Sequence, residues 1–207
     1  RMARIVREAS AAVEKKVVLE THGETTEIDK TVIERLADPL THMIRNAVDH
    51  GLETPDKRLA AGKSETGTVT LSAAHKSGRV SIEVSDNGAG INRPRVRQIA
   101  VDKGLIPADA QLSDSEIDNL LFLPGFSTAK EVSNLSGRGV GMDVVKSAIT
   151  NLGGRCSISS SEGVGTTFTI SLPLTLAVLD GMVIRVENET LVVPLNAIGE
   201  TLTIQED

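Results

Sequence analysis

Five side chains that can bind a metal ion or a phosphate lie close together in residues 38–51, DPLTHMIRNAVDHG. At about 100° per residue, a helix over this segment gathers them on one side, and the i, i+4, i+8 spacing of three of them lets neighbouring side chains reach one ligand. Three interpretations are open: a metal site, a nucleotide site, or the solvated face of an amphipathic helix, which is the commonest meaning of such a face. The five residues are His42, Arg45, Asn46, Asp49 and His50.

The donor types favour some metals over others. Zinc sites use three or four closely spaced histidine, cysteine or carboxylate ligands, and no third histidine or cysteine lies in a partner motif. An asparagine in the set favours a hard cation such as Mg²⁺, which keeps several waters and takes further ligands from phosphate oxygens. The metal and nucleotide interpretations therefore converge on a magnesium–phosphate site.

A second motif, SDNGAGI at residues 85–91, follows a strand pattern. Gly88 and Gly90 allow the backbone to approach a ligand closely and to adopt positive φ. An ionised Asp86 only accepts hydrogen bonds, so it could accept one from the exocyclic amine of adenine and reject guanine, which has a carbonyl there. By itself D-x-G-x-G is a weak signal, because Asp-Asn-Gly is also a common turn.

A third motif, SGRGVGMDVVK at residues 136–146, runs from glycines into a helix that begins near Val140. Free N–H groups and the positive end of the helix dipole favour phosphate there. The motif is not a Rossmann fingerprint, because no strand leads into it, and it lacks the G-K-[ST] of a P-loop. Residues 122–138, rich in Ser, Gly and Pro, form a loop long enough to close over a nucleotide as a lid.

Helical and strand patterns alternate around these motifs. The main helix is predicted from an N-cap at Asp29 to an end at Gly51, and Pro39 either kinks it or begins a second half capped by Asp38. Its apolar side is predicted to hold Ile33, Leu36, Leu40, Met43, Ile44 and Ala47. The other predicted elements are a helix end at 1–14, a hairpin of 15–23 and 25–31 turning at Gly23, a hairpin of 67–75 and 79–86, helices at 93–103 and 113–121, a helix from about 140, a closing hairpin ending near 173, and two further strands.

Composition excludes several classes of protein. A net charge of −6 over 207 residues gives no general attraction for nucleic acid, and three phenylalanines, with no tryptophan or tyrosine, cannot build a base-stacking surface. The single cysteine, Cys156, cannot form a disulfide within the chain, which suits a reducing compartment. No apolar run is long enough to cross a bilayer and the charged first residues lack a signal-peptide core, so a cytoplasmic location without membrane insertion is expected.

In this order, an asparagine-bearing helix, a strand-end D-x-G-x-G, a lid segment and a glycine-rich helix start resemble the ATP-binding fold shared by histidine kinases, gyrase-type ATPases, MutL and heat-shock chaperones. Within that group the chain is similar to the ATP-binding domain of chemotaxis histidine kinases of the CheA family, passing into their regulatory domain. The similar segments are DPLTHMIRNAVDHGLE, DNGAGI, FLPGFST, SGRGVGMDVVK and LPLTLAVLDGMVIRV.

The resemblance implies an α+β fold: a two-layer α/β sandwich with a mixed, mostly antiparallel sheet, helices on one face and an ATP lid. It implies three segments. Residues 1–14 are the end of a dimerisation-linked helix or the first helix of the catalytic domain, 15–173 are the ATP-binding kinase domain, and 174–207 are a linker and the first strands of a truncated CheW-like regulatory domain.

The resemblance also implies ATP and Mg²⁺ as ligands, with Asn46 on the metal and Asp86, near Thr166, on the adenine. His42 stands where related sensor kinases carry an acid, and it is expected to be the catalytic residue that polarises the acceptor imidazole. The other implied nucleotide contacts are Arg45, Asp49, His50, Gly88, Gly90, Ile91, Arg95, Ser127, Thr128, Ser136, Gly137, Arg138, Gly139, Val140, Gly141 and Met142.

The implied function is autokinase chemistry, in which the γ-phosphoryl group of ATP passes to a histidine on a separate phosphoacceptor domain. His22 and His75 do not resemble that acceptor. The implied partners in a full-length protein are a dimerisation domain, a CheW-like coupling protein and chemoreceptors, and this chain is expected to be a monomer. Two alternatives stay open: an ATPase of the same fold without kinase activity, and a nucleotide-dependent binding module.

Overall fold

The computed structural model describes residues 2–23, 30–126 and 141–173, together with the backbone of two strands at 181–186 and 189–194. The chain divides into two compact units, residues 1–174 and 175–207. The first unit contains α1 (Met2–Ala12), β1 (Val17–His22), α2 (Lys30–Asn46) continued by a π-helical turn (Ala47–Gly51), α3 (Pro55–Ala60), β2 (Gly67–Lys76), β3 (Arg79–Asp86), α4 (Arg93–Asp102), α5 (Asp114–Asn119) followed by a 3₁₀ turn (Leu120–Phe122), α6 (Met142–Asn151), β4 (Arg155–Ser161) and β5 (Gly165–Pro173).

The strands of the first unit form one mixed sheet in the order β1-β2-β3-β5-β4. Only the edge pair β1–β2 is parallel, and the other three pairs are antiparallel. Burial alternates along β3, so that every second side chain belongs to the core. Helices α2 and α6 bury Met43, Ile44, Val145 and Ile149 in the same core. The predicted α+β sandwich with a mostly antiparallel sheet is therefore confirmed.

Both hairpins predicted within the sheet are confirmed. In the first, Ser77 and Gly78 join β2 to β3 with φ values of 52° and 73°. Positive φ at both central residues gives a turn whose twist matches that of the flanking strands. The second hairpin pairs β4 with β5, and it sets Thr166 beside the end of β3.

The hairpin predicted for residues 15–31 is wrong in the pairing of its first strand. β1 pairs in parallel with β2, from Val17 opposite Gly67 to His22 opposite Ser72, and residues 30 and 31 already belong to α2. A Cβ on Gly23 would lie 1.8 Å from the carbonyl oxygen of Ala73, so this glycine permits close contact with β2. Alternation along one strand cannot distinguish a parallel neighbour from an antiparallel one. Residues 24–29 lie outside the described part of the chain.

The helix that carries the polar face, defined as His42, Arg45, Asn46, Asp49 and His50, lies where the sequence predicted it, with three differences. The buried side of the helix begins at Val32 rather than at Ile33, which is 51% exposed, and the other predicted apolar residues of this helix are buried. The helix continues through Pro39, so Asp38 does not cap a second helix. Beyond Asn46 the helix widens into a π turn, in which the Leu52 amide donates to the Ala47 carbonyl at 2.9 Å.

The second unit contains β6 (Gly181–Val186) and β7 (Glu189–Pro194), which pair in antiparallel fashion. The two strands predicted after residue 173 are therefore confirmed. Of the helices in the described part of the chain, none has the length and apolar character needed to cross a membrane.

Candidate functional site

Asp86 ends β3 as a buried carboxylate, with 7% of its surface exposed. The Gly88 amide donates to its Oδ1 at 2.9 Å. Burial raises the pKa of Asp86 to about 6, while backbone hydrogen bonds from Gly88 and Thr166 act in the opposite direction. A buried acceptor that is mostly ionised at pH 7 suits a ligand that donates a hydrogen bond.

Glycines bring three elements against this carboxylate. A Cβ on Gly51 would lie 2.6 Å from Asp86 Oδ2, and one on Gly88 would lie 2.0 Å from the Gly51 carbonyl oxygen. A Cβ on Gly165 would lie 1.9 Å from the Asp86 carbonyl oxygen. The π turn, the end of β3 and the start of β5 therefore meet more closely than any side chain would allow.

Gly90 has the positive φ expected of this motif, at +76°, and a Cβ there would lie 2.5 Å from the Ser161 carbonyl oxygen. The next residue, Ile91, donates its amide to Ser160 Oγ at 2.8 Å. Ser160 Oγ also lies 3.1 Å from Thr166 Oγ1, and Thr166 is the buried cross-strand partner of Asp86. Ser160 therefore connects Ile91, which follows Gly90, to Thr166, the residue opposite Asp86.

At the other end of the polar face, Asn46 contacts the start of α6. Its Nδ2 donates to the Met142 sulfur at 3.1 Å, and Gly141 is the N-cap of that helix. This contact leaves the carboxamide oxygen, the atom that a hard cation binds, for other interactions. Asn46 and the start of α6 at Gly141 and Met142 therefore lie together, and their contacts with a nucleotide stay a prediction.

His42 is half-buried on the same face, and the charges of Arg45, His50 and Asp143 act on it. The pKa of His42 is lowered by burial first, then by Arg45 and His50, against an opposing effect of Asp143. The imidazole is therefore predominantly neutral at pH 7, and a neutral imidazole can accept a hydrogen bond or a proton.

Lys15, which no sequence motif indicated, binds the backbone of the π turn. Its Nζ donates to the carbonyls of Val48 and Asp49 at 2.8 and 2.7 Å. Helix ends leave such carbonyls without intrahelical partners. Asp49 is half-buried, and burial raises the pKa of its carboxyl against the charges of His50, Lys15 and Arg45. His50, the next residue of the π turn, is exposed to solvent.

Residues 35–176 match the sequence model of a family described as histidine kinase-, DNA gyrase B-, and HSP90-like ATPase. The chain belongs to this ATPase family. The match includes all of the polar face, the D-x-G-x-G motif and the glycine-rich start of α6.

Several curated relatives carry the name chemotaxis protein CheA, including proteins of three species. The chain is 70% identical to that of Cereibacter sphaeroides over 202 residues, which are 98% of this chain and 29% of that protein. It is 67% identical to the Rhizobium meliloti protein over 202 residues, 98% of this chain and 27% of the relative. It is 50% identical to the Salmonella typhimurium protein over 207 residues, 100% of this chain and 31% of the relative. The chain therefore spans less than a third of the length of these relatives.

Two solved structures were also compared. The Erythrobacter litoralis EL346 blue-light activated histidine kinase aligns at 17% identity with a TM-score of 0.48, covering 83% of this chain and 40% of its own. The catalytic domain of histidine kinase ThkA aligns at 20% identity with a TM-score of 0.45, covering 83% of this chain and 91% of its own.

The predicted nucleotide contacts stay predictions. Arg95 is exposed in the first turn of α4, where its amide donates to the capping oxygen of Asn92 at 3.0 Å, and no contact of its guanidinium is described. The first five residues of the predicted lid, 122–126, are described, and Phe122 and Phe126 are buried, so this part belongs to the packed domain rather than to a loop without apolar contacts. Residues 127–138 of the predicted lid and seven predicted contacts lie outside the described residues: Ser127, Thr128, Ser136, Gly137, Arg138, Gly139 and Val140.

Two charged groups that support the site were not predicted. Arg93 forms two hydrogen bonds to the buried Asp118, at 2.9 and 2.8 Å, and a third to the Ser160 carbonyl at 2.8 Å. It thereby ties α4, α5 and β4 together beside Ile91. The second group consists of Glu53, Arg58 and Lys63, which lie against the loop after Asp86. Neither group has a sequence signal for its role at the site, because the atoms that Arg93, Arg58 and Lys63 contact there lie at least 24 residues away along the chain.

No group of three or more histidine, cysteine, aspartate or glutamate side chains in the described ranges is arranged to hold a metal ion. Asn46 supplies one suitable oxygen, so a Mg²⁺ ion at this position would take its other ligands from water and from phosphate oxygens. The donor set of this ATPase-family site thus fits a metal that arrives with a nucleotide.

Proposed function

We propose that the chain is the ATP-binding catalytic domain of a chemotaxis-type histidine autokinase. One observation carries the proposal: the end of α2 connects the buried Asp86, through Gly51, to the start of α6, through the contact of Asn46 with Met142.

In this proposal Asp86 accepts a hydrogen bond from the adenine amino group, and the start of α6 donates backbone N–H groups to phosphate. Asn46 would hold Mg²⁺, which supplies charge neutralisation for the phosphates when bound. The assignment of Arg45, Asp49, His50 and Arg95 to the nucleotide is part of the same proposal.

The proposed reaction transfers the γ-phosphoryl group to a histidine of a phosphoacceptor domain. A ring nitrogen of the acceptor forms a bond to the γ-phosphorus while the bond from that phosphorus to the bridging oxygen breaks, and ADP leaves with the electron pair. Neutral His42 would accept a hydrogen bond from the other ring N–H of the acceptor and make the attacking nitrogen more electron-rich. Such transfer depends mainly on positioning and charge neutralisation, so the required polarisation is modest.

The parent protein would carry this domain between a dimerisation domain and a CheW-like regulatory domain that begins with β6 and β7. Its expected partners are a CheW-like coupling protein and chemoreceptors, as the name of the relatives suggests. We place it in the cytoplasm, where ATP is available and where Cys156 stays reduced.

The test is to incubate the chain with γ-labelled Mg-ATP, with and without an isolated phosphoacceptor domain, and to measure both phosphohistidine and free phosphate. The proposal expects phosphohistidine only when the acceptor is present. Rapid release of free phosphate without the acceptor would instead favour an ATPase. Nucleotide binding with neither product would favour a binding module and contradict the kinase proposal.

A further inference from the structure

Three charged side chains that belong to none of the proposed nucleotide contacts form one cluster, the loop clamp: Glu53, Arg58 and Lys63. The two cations divide one carboxylate between them. Arg58 Nη1 lies 2.9 Å from Glu53 Oε2, and Lys63 Nζ lies 2.7 Å from Glu53 Oε1. Their side chains are 2% and 19% exposed.

The clamp also donates to the backbone that follows Asp86, while Arg58 Nε donates to the Ser64 carbonyl at 2.7 Å. Arg58 Nη1 donates to the Asn87 carbonyl at 3.1 Å, and Lys63 Nζ donates to the Asn87 carbonyl at 3.2 Å and to the Gly88 carbonyl at 2.7 Å. On the other side, the Gly88 amide donates to Asp86 Oδ1. Gly88 is therefore held through its carbonyl by the clamp and through its amide by Asp86.

The energetics of the clamp indicate a role beyond stability. Removing an arginine and a lysine from water costs several kcal/mol per ion unless every donor finds a partner. An apolar cluster of similar volume stabilises a fold at least as well, so a buried ionic cluster is weak evidence for stability. The two cations of the clamp instead fix the positions of two successive backbone carbonyls, those of Asn87 and Gly88.

We propose that Glu53, Arg58 and Lys63 set the base selectivity of the site by holding the Asn87–Gly88 backbone in the position from which Gly88 orients Asp86. The Gly88 amide engages Oδ1, and the Thr166 amide also donates to this carboxylate. The lone pairs that these two donors leave accept from the amino group of adenine in this proposal. The three residues are positioning residues, since their hydrogen bonds reach the proposed base site through the loop. The charges of Glu53 and Lys63 also act on the pKa of the Asp86 carboxyl, in opposite directions. The inference rests on the proposed function, because it requires Asp86 to bind adenine.

The test compares ADP with IDP, which carries a carbonyl in place of the 6-amino group. Affinities for both nucleotides are measured by calorimetry on the 207-residue chain and on Lys63→Met, Lys63→Arg and Lys16→Met. Lys16→Met is the matched control, because Lys16 forms an exposed ion pair with Glu65. Circular dichroism establishes that each variant is folded.

We expect Lys63→Met to weaken ADP about tenfold, the effect of losing a contact that positions a binding group. The affinity for IDP should change less than twofold, because IDP has no 6-amino group to donate to Asp86. The preference for ADP over IDP should therefore fall about tenfold. Lys63→Arg should retain the preference, since it can donate to the same carbonyls, and Lys16→Met should behave as the unaltered chain does. Should Lys63→Met be unfolded, Glu53→Gln is measured instead, with the same expected loss of preference.

Two results would overturn the clamp while leaving the proposed function intact. In one, the variant retains the full ADP preference; in the other, ADP and IDP weaken equally, as a general loosening of the fold would produce. An unaltered chain that binds ADP no better than IDP would contradict the clamp and the adenine role of Asp86 together. An unaltered chain that binds neither nucleotide would contradict the proposed function itself.

Discussion

Asp86 combines burial with a raised pKa, and this combination ties nucleotide binding to pH. Its carboxyl is protonated in a growing fraction of molecules as the pH falls through about 6. When the Asp86 carboxyl is protonated, its O–H and the amino group of adenine are both donors, so the proposed hydrogen bond is lost. We expect ADP affinity to fall by up to about tenfold per pH unit below 6, measured by calorimetry between pH 5 and 8. A flat profile would contradict the proposed contact, and Asp86→Asn serves as the control without this titration.

The same residue should cost stability at neutral pH. Its folded pKa of about 6 lies above the ordinary value of 3.8, so the folded state binds more protons between these values. The contribution of this group to stability is therefore fully present below pH 3.8 and is lost as the pH rises through about 6, by about 3 kcal/mol at most. Asp86→Asn keeps an acceptor for Gly88 without the charge. It should raise the free energy of unfolding at pH 7 and have little effect near pH 4, measured by urea denaturation.

His42 should affect chemistry more than binding. Its neutral, half-buried imidazole faces Arg45, His50 and Asp143, and the proposal gives it no contact with the adenine. We expect His42→Ala to lower the phosphotransfer rate to an acceptor domain by about 10²- to 10⁴-fold and to leave ATP affinity within a factor of about three. Rapid-quench kinetics and calorimetry measure the two quantities. Loss of ATP affinity as large as the loss of rate would contradict the catalytic role.

At the scale of elements, the site depends on how closely the π turn approaches the end of β3. Gly88→Ala would bring a methyl group to 2.0 Å from the Gly51 carbonyl oxygen, so the backbone must move. We expect about 1–3 kcal/mol of destabilisation and a large loss of ADP affinity, measured by denaturation and calorimetry. The control is Gly62→Ala, which has open space around it and a φ of +72°. A similar loss of ADP affinity in the control would contradict this interpretation.

The elements differ in how well the sequence predicts them. The hairpins β2–β3 and β4–β5 have local signals, because alternation and a turn lie within one segment. The partner of β1 has no local signal, since β2 follows after two helices. Helix α3, with six residues and no apolar period, was not predicted at all.

At the scale of the whole molecule, every described site residue lies in the first compact unit. We therefore expect a chain ending at residue 174 to bind ADP with an affinity within a factor of about two of the full 207 residues. Calorimetry on both chains provides the comparison, with thermal unfolding as the control for folding. A loss of binding in the shorter chain would mean that residues 175–207 contribute to the nucleotide site.

By itself the sequence determined the polar face of α2, two of the hairpins and the place of Asp86 at a strand end, because helical periodicity, strand alternation and glycine spacing are local along the chain. The fold class followed from the resemblance of its motifs to a known family. Only the tertiary structure decided the contact of Asn46 with Met142, the support of Lys15 under the π turn and the loop clamp of Glu53, Arg58 and Lys63. These are hydrogen bonds of single donors to atoms that other elements bring near. Whether a donor lies within hydrogen-bond distance of such an atom depends on the path of the folded backbone, and local sequence patterns do not predict that path.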